Sequence, residues 1–150
     1  MDILNSIILP CLYTFIASIA FGIQFNIKFH HIIAAGIGGV ISQLLFSVLE
    51  LEGSNEMICY FAAACAISIY SEILARRLKV PVNMYLVISI IPLVPGGYMY
   101  KAMITLIDGD IQLFAEKCVH AFSIAGSIAI GVFAVSSLVR LYRVLTKKVI

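Results

Sequence analysis

Residues 81–108, PVNMYLVISIIPLVPGGYMYKAMITLID, decide the fold. Between Pro81 and Asp108 the only charge is Lys101, and the stretch exceeds the roughly 17–25 residues a helix needs to cross a bilayer. Regular coiling cannot continue through its middle. Pro92 and Pro95 each remove a backbone donor and clash with the preceding turn, while Gly96 and Gly97 allow a sharp turn or an unwound stretch without steric conflict. The segment 82–91 rises about 15 Å, half of a hydrocarbon core about 30 Å thick, which places the Pro-Gly run near the midplane. Unwinding and simple kinking both satisfy this pattern.

The rest of the chain shares the apolar character. Of 150 residues, 62% are hydrophobic and only 12% charged, with a mean hydropathy of +1.07. A soluble domain carries about 25% charged residues, so the solvent of this chain must be lipid. Apolar segments at 3–25, 32–49, 57–74 and 119–138 join 82–107 to give an all-α integral membrane protein with five transmembrane helices, the fourth broken at Pro92–Gly97. Residues 1–150 are expected to form a single transmembrane domain, with links at 26–31, 50–56, 75–81 and 108–118. Asp2 and the lack of an early Lys or Arg argue against a cleaved secretory signal, so the first segment is expected to stay.

Charge sorts the links into two alternating classes. Lys28, then Arg76, Arg77 and Lys79, then Arg140, Arg143, Lys147 and Lys148 fall on one side. Glu50, Glu52, Glu56, Asp108, Asp110, Glu116 and the single Lys117 fall on the other. With five spans the classes alternate throughout, whereas a four- or six-span arrangement would break the alternation, and the positive-inside rule then puts the N-terminus outside and the C-terminus in the cytoplasm of a cell (inner) membrane.

A break at that depth exposes peptide groups that are tolerated only in protein or beside a watery cavity. It also creates a half-helix N-terminus near Gly97 and Tyr98, whose amides and positive dipole end suit an anion. Lys101, about one turn on, adds a full charge, and Tyr98 and Tyr100 add hydroxyls. Pro92, Pro95, Gly96, Gly97, Tyr98, Tyr100 and Lys101 are therefore the candidate binding residues for a small carboxylate-bearing solute. The alternative is a proline kink that aids packing, with Lys101 reaching toward the outer headgroups.

Other polar groups at depth are few. Glu72 has the spacing for an i,i+4 pair with Arg76, and the same two residues are candidates for gating or proton coupling. Gly36, Gly38 and Gly39 form a close-approach face in the second helix, with a pathway-lining role as the alternative. Gln43 and Asn83 are expected to bond between helices, and His120 to be solvated or satisfied locally rather than a proton relay. Cys11, Cys59, Cys65 and Cys118 lack metal or redox spacing and read as small packing residues. With no metal spacing, nucleophile–base pair or phosphate loop, neither an enzyme nor a cofactor is expected, and no nucleic-acid partner is implied.

Ser71-Glu72-x-x-Ala75-Arg76, Pro81, and Ile91-Pro92-Leu93-Val94-Pro95-Gly96-Gly97 with Tyr100 resemble the threonine/serine exporter family, more narrowly the small subunit of its two-component form. Some members of that form are linked to export of C4 dicarboxylates such as succinate. The resemblance implies secondary active export of small amino acids or dicarboxylates, with a larger polytopic membrane subunit as partner. A five-span unit begins and ends on opposite sides of the membrane, so two in tandem would be inverted relative to each other. A non-transporting assembly subunit and a passive channel built by a homo-oligomer remain the alternatives.

Overall fold

In a computed structural model, residues 2–147 are described, with side chains over 7–145. Lys148 and the Lys147 side chain, both counted in the basic tail, lie outside that range. The elements are α1 (Asp2–Gln24), α2 (Phe29–Leu51), α3 (Glu56–Leu78), α4 (Val82–Ile90), a 3₁₀ turn (Ile91–Leu93), α5 (Gly96–Ile107) and α6 (Ile111–Lys147). No strand occurs among the described residues. Four helices are each long and apolar enough to cross a bilayer, and α4 with α5 makes a fifth, bent by 48° at the break. The all-α, five-span architecture expected from hydropathy is the architecture of the molecule.

Each link closes on one residue with left-handed backbone: Asn26, Gly53, Lys79 and Gly109. Asparagine and glycine take that conformation readily, and here they let consecutive helices reverse within a few residues. The last link is shorter than the charge pattern suggests. Instead of 108–118 it comprises little more than Asp108–Asp110, because the Asp110 carboxylate accepts the Leu113 amide at 2.9 Å and starts α6 there. Hydropathy locates only the apolar centre of such a helix. Once capped, α6 runs 37 residues, about 55 Å, well beyond a hydrocarbon core of about 30 Å.

Side chains set how closely the helices approach. A Cβ on Gly38 would collide with Ser89 Oγ and come within 3.0 Å of the Tyr70 ring; one on Gly39 would strike Ser18 Oγ. In that space Ser89 donates to the Ala35 carbonyl at 3.0 Å and Tyr70 to the Ala34 carbonyl at 2.7 Å, tying α4 and α3 to α2. Such interhelical bonds contribute about 0.6 kcal/mol each in membranes. Gly131 does the same for α6, since a Cβ there would meet the Phe61 carbonyl at 2.9 Å. Gln43, expected to reach another helix, instead donates to Ser47 one turn along its own. The four cysteines are free.

Two buried clusters result. Ala35, Ala75, Tyr85 and Ile88 join α2, α3 and α4, while Ala63, Ala64, Ile67, Leu93, Ile124 and Ile128 join α3, the 3₁₀ turn and α6. Leu93 thus rests near mid-length of α3, displaced toward the end that carries Glu56. This arrangement predicts that Gly38→Leu lowers the melting stability of the purified protein by about 1–3 kcal/mol through overpacking. Gly126→Ala, where a Cβ meets nothing within 4 Å, should be neutral or stabilising by up to about 1 kcal/mol. Equal responses of the two variants in a thermal melt would contradict it.

Candidate functional site

The break between α4 and α5 is unwound rather than merely kinked. After the 3₁₀ turn, Val94 is extended (φ −62°, ψ 131°) and Pro95 has φ −75° and ψ 51°, so helical geometry resumes only at Gly96. The Val94 amide still reaches the Ile91 carbonyl at 3.1 Å, and the Gly96 amide the Val94 carbonyl at 2.7 Å. Gly97 and Tyr98 lie in the first turn of α5, where no carbonyl of the same helix lies four residues back. A new helix N-terminus therefore opens beside the break.

The proposed binding residues divide between two faces. Leu93 and Pro95 are buried and Pro92 is half-buried. Tyr98 turns inward, where its hydroxyl donates to Glu56 at 2.8 Å. Gly96, Gly97, Tyr100 and Lys101 point outward, and a Cβ on either glycine would meet nothing within 4 Å. The glycines are thus not demanded by packing inside this chain. Lys101 Nζ sits 5.8 Å above the Tyr98 ring, within cation–π range, so both faces remain linked at one turn of α5. The cavity beside the break, about 360 Å³ between α5 and α6, is lined by Val94, Pro95, Met99, Phe114, Phe122 and other uncharged side chains. It offers nothing to a carboxylate. A larger cavity of about 600 Å³ opens at the end carrying Lys28 and His31, and Asn83 lines it.

Glu72 and Arg76 do meet, with Arg76 Nε 3.6 Å from Glu72 Oε2. A closer partner escaped sequence reasoning: Arg143 of α6 donates to the same oxygen at 2.9 Å. The Glu72 side chain is largely covered, and its carboxylate couples α3 to α6 at the basic end of the bundle. At the opposite end Glu56 plays a matching part. It accepts from Tyr98 of α5 and pairs with His120 Nε2 of α6 at 3.3 Å. His120, expected to be solvated or satisfied locally, is partly solvated, with its side chain 39% exposed, and its partner lies on another helix rather than its own. Both partners are distant in sequence, and only the parallel run of α3 beside α6 brings them together.

A bundle of membrane-spanning helices, with α4 and α5 forming one bent and interrupted span, defines a multi-pass membrane protein. The threonine/serine exporter (ThrE) family model matches residues 10–138. The chain belongs to that family, and it is a transporter of the threonine/serine exporter type. It matches no curated protein and no solved structure.

The two links between α3 and α6 differ in strength by geometry. Arg143→Gln should destabilise the bundle by about 1 kcal/mol and Arg76→Gln by roughly 0.3 kcal/mol, because the first breaks a short interhelical pair and the second a longer pair within one helix. Denaturant titration of both variants checks this, and a reversed order would refute the assignment of Arg143 as the principal partner.

Proposed function

We propose that this chain is one half of a secondary active exporter, and that its solute site is completed by a larger polytopic subunit of similar membrane architecture. The observation that carries this reading is the outward orientation of Gly96, Gly97, Tyr100 and Lys101. Peptide amides and an ammonium group facing hydrocarbon alone would be left without partners, which lipid does not tolerate. A second subunit or an aqueous cleft against this face removes the conflict. The same groups then line the junction between the halves.

The chemistry there suits a carboxylate. The Gly97 and Tyr98 amides and the positive end of α5 favour an anion, Lys101 supplies a full charge, and Tyr100 offers a hydroxyl. Threonine and serine fit through their carboxylate and hydroxyl groups; a C4 dicarboxylate such as succinate fits the same positive end. Pro92 and Pro95 hold the break open. Glu72, with Arg76, is proposed as the gate at the basic end, which faces the cytoplasm if the positive charges lie inside. The protein then sits in the cell (inner) membrane with its N-terminus outside.

Pro95→Leu combined with Gly96→Leu should restore a continuous helix, reducing export below about 10% of wild type while leaving membrane insertion intact. Lys101→Ala should raise the concentration for half-maximal export about tenfold through loss of a charged hydrogen bond. Assays of threonine, serine and succinate export with each subunit alone and both together check these outcomes. A silent Lys101→Ala, with the partner transporting alone, would make this chain an assembly subunit. Flux indifferent to the ion gradient would make it a passive channel.

A further inference from the structure

One carboxylate gathers three helices next to the break. Glu56 stands in the first turn of α3, just after Asn55, whose side chain caps the helix through the Met57 amide at 3.0 Å. Its Oε1 accepts the Tyr98 hydroxyl at 2.8 Å, and its Oε2 lies 3.3 Å from His120 Nε2. The Tyr98 and His120 rings are 4.6 Å apart and tilted by 44°. Tyr98 is the third residue of α5, so this contact fixes the turn whose amides are free.

The second ring nitrogen is what separates this cluster from an ordinary structural contact. His120 Nδ1 is buried and has no hydrogen-bond partner among the described residues. A histidine held only for packing would have both nitrogens satisfied or one in solvent. Here one nitrogen meets a carboxylate and the other meets nothing, so no second partner fixes the state of the ring. Glu72, by contrast, is already committed to two guanidinium groups.

We propose that His120 and Glu56 form a proton-binding site, and that Tyr98 reports its state to the broken helix. With His120 protonated, the imidazolium–carboxylate pair draws α6 to α3 and presents Glu56 to the Tyr98 hydroxyl, holding α5 in place. When the proton leaves Nδ1, neutral His120 still donates its Nε2–H to Glu56 but the charge attraction is lost, so α6 and the α5 packed on it are held less tightly to α3, and α5 can swing about Val94 and Pro95. The charged and titratable groups facing this pair come from four helices. Glu50 of α2 lies within electrostatic reach of Tyr98, Tyr60 of α3 within reach of Glu56 and Tyr98, and Cys59 of α3 within reach of Glu56; Lys101 of α5 sits above the Tyr98 ring, and Glu116 of α6 is one turn before His120. Histidine changes charge between about pH 5 and about pH 8, so the latch closes toward the acidic end of that range and loosens toward the basic end. Its bearing on transport rests on the exporter reading, because the half-helix it holds is the one proposed to grip the solute.

The test is a distance measurement on the exporter extracted from its own membrane into lipid nanodiscs with whatever subunits accompany it. Spin labels are placed at Ile58 of α3 and Met103 of α5 through a genetically encoded amino acid, leaving the four cysteines untouched; both positions are exposed. Between about pH 5 and about pH 8 the ratio of long to short distances should rise about fivefold, the effect of losing one half-exposed ion pair. His120→Gln should abolish the pH response, and Tyr98→Phe, which removes only the hydroxyl, should show the longer distance at both ends. A wild-type distribution indifferent to pH would overturn the proposal, and so would a pH response that survives in His120→Gln. Absence of threonine, serine or succinate flux in the wild type would sink the exporter reading without altering the distance result.

Discussion

A peptide amide inside a bilayer must find an acceptor, and this requirement governs the whole molecule. Four of the spans meet it by coiling without interruption. The fourth cannot, because Pro92 and Pro95 carry no amide hydrogen and the chain between them and Gly97 leaves the helix. The molecule contains the disturbance on one side by burying Leu93 against α3 and α6 and by burying Pro95. On the other side it leaves Gly96, Gly97 and Lys101 uncovered. The proposed half-site rests on that asymmetry.

The two ends of the bundle are built on the same plan. At each, a glutamate of α3 reaches α6: Glu72 through Arg143 at the basic end, Glu56 through His120 at the acidic end. The intervening stretch relies on small residues, with Gly131 allowing α6 to lie against the Phe61 carbonyl and Cys65. On the far side Gly38 and Gly39 bring α2 against Ser89, Tyr70 and Ser18. Side chains small enough to let backbones approach thus hold the centre, and charged pairs define the ends. Of the helices beyond the break, α5 is held mainly by α6 and by Tyr98, which suits an element that moves.

Features governed by neighbouring residues were legible in the sequence. The break at Pro92–Gly97 follows from two imino acids and two glycines, whose effects are local, and the five spans follow from hydropathy alone. The Glu72–Arg76 pair follows from helical spacing. Contacts set by helix arrangement were not legible: nothing near Glu72 announces Arg143, and nothing near His120 announces Glu56. The early start of α6 was missed because Glu116 and Lys117 end the apolar window, whereas the cap that starts the helix is Asp110. The exposure of Gly97 and Lys101, with Tyr98 turned inward to Glu56, is set by how α5 packs and could not be read from composition.

The central claim is that the amides at the start of α5 hold the solute carboxylate. The chain contains one Gly-Tyr step, Gly97-Tyr98, so labelling glycine carbonyls with ¹³C and tyrosine with ¹⁵N isolates the Tyr98 amide by solid-state NMR. With carboxyl-labelled threonine bound to the exporter in membranes, the account predicts a dipolar contact between that nitrogen and the threonine carboxyl carbon within about 4 Å. Saturating threonine with no such contact would contradict it.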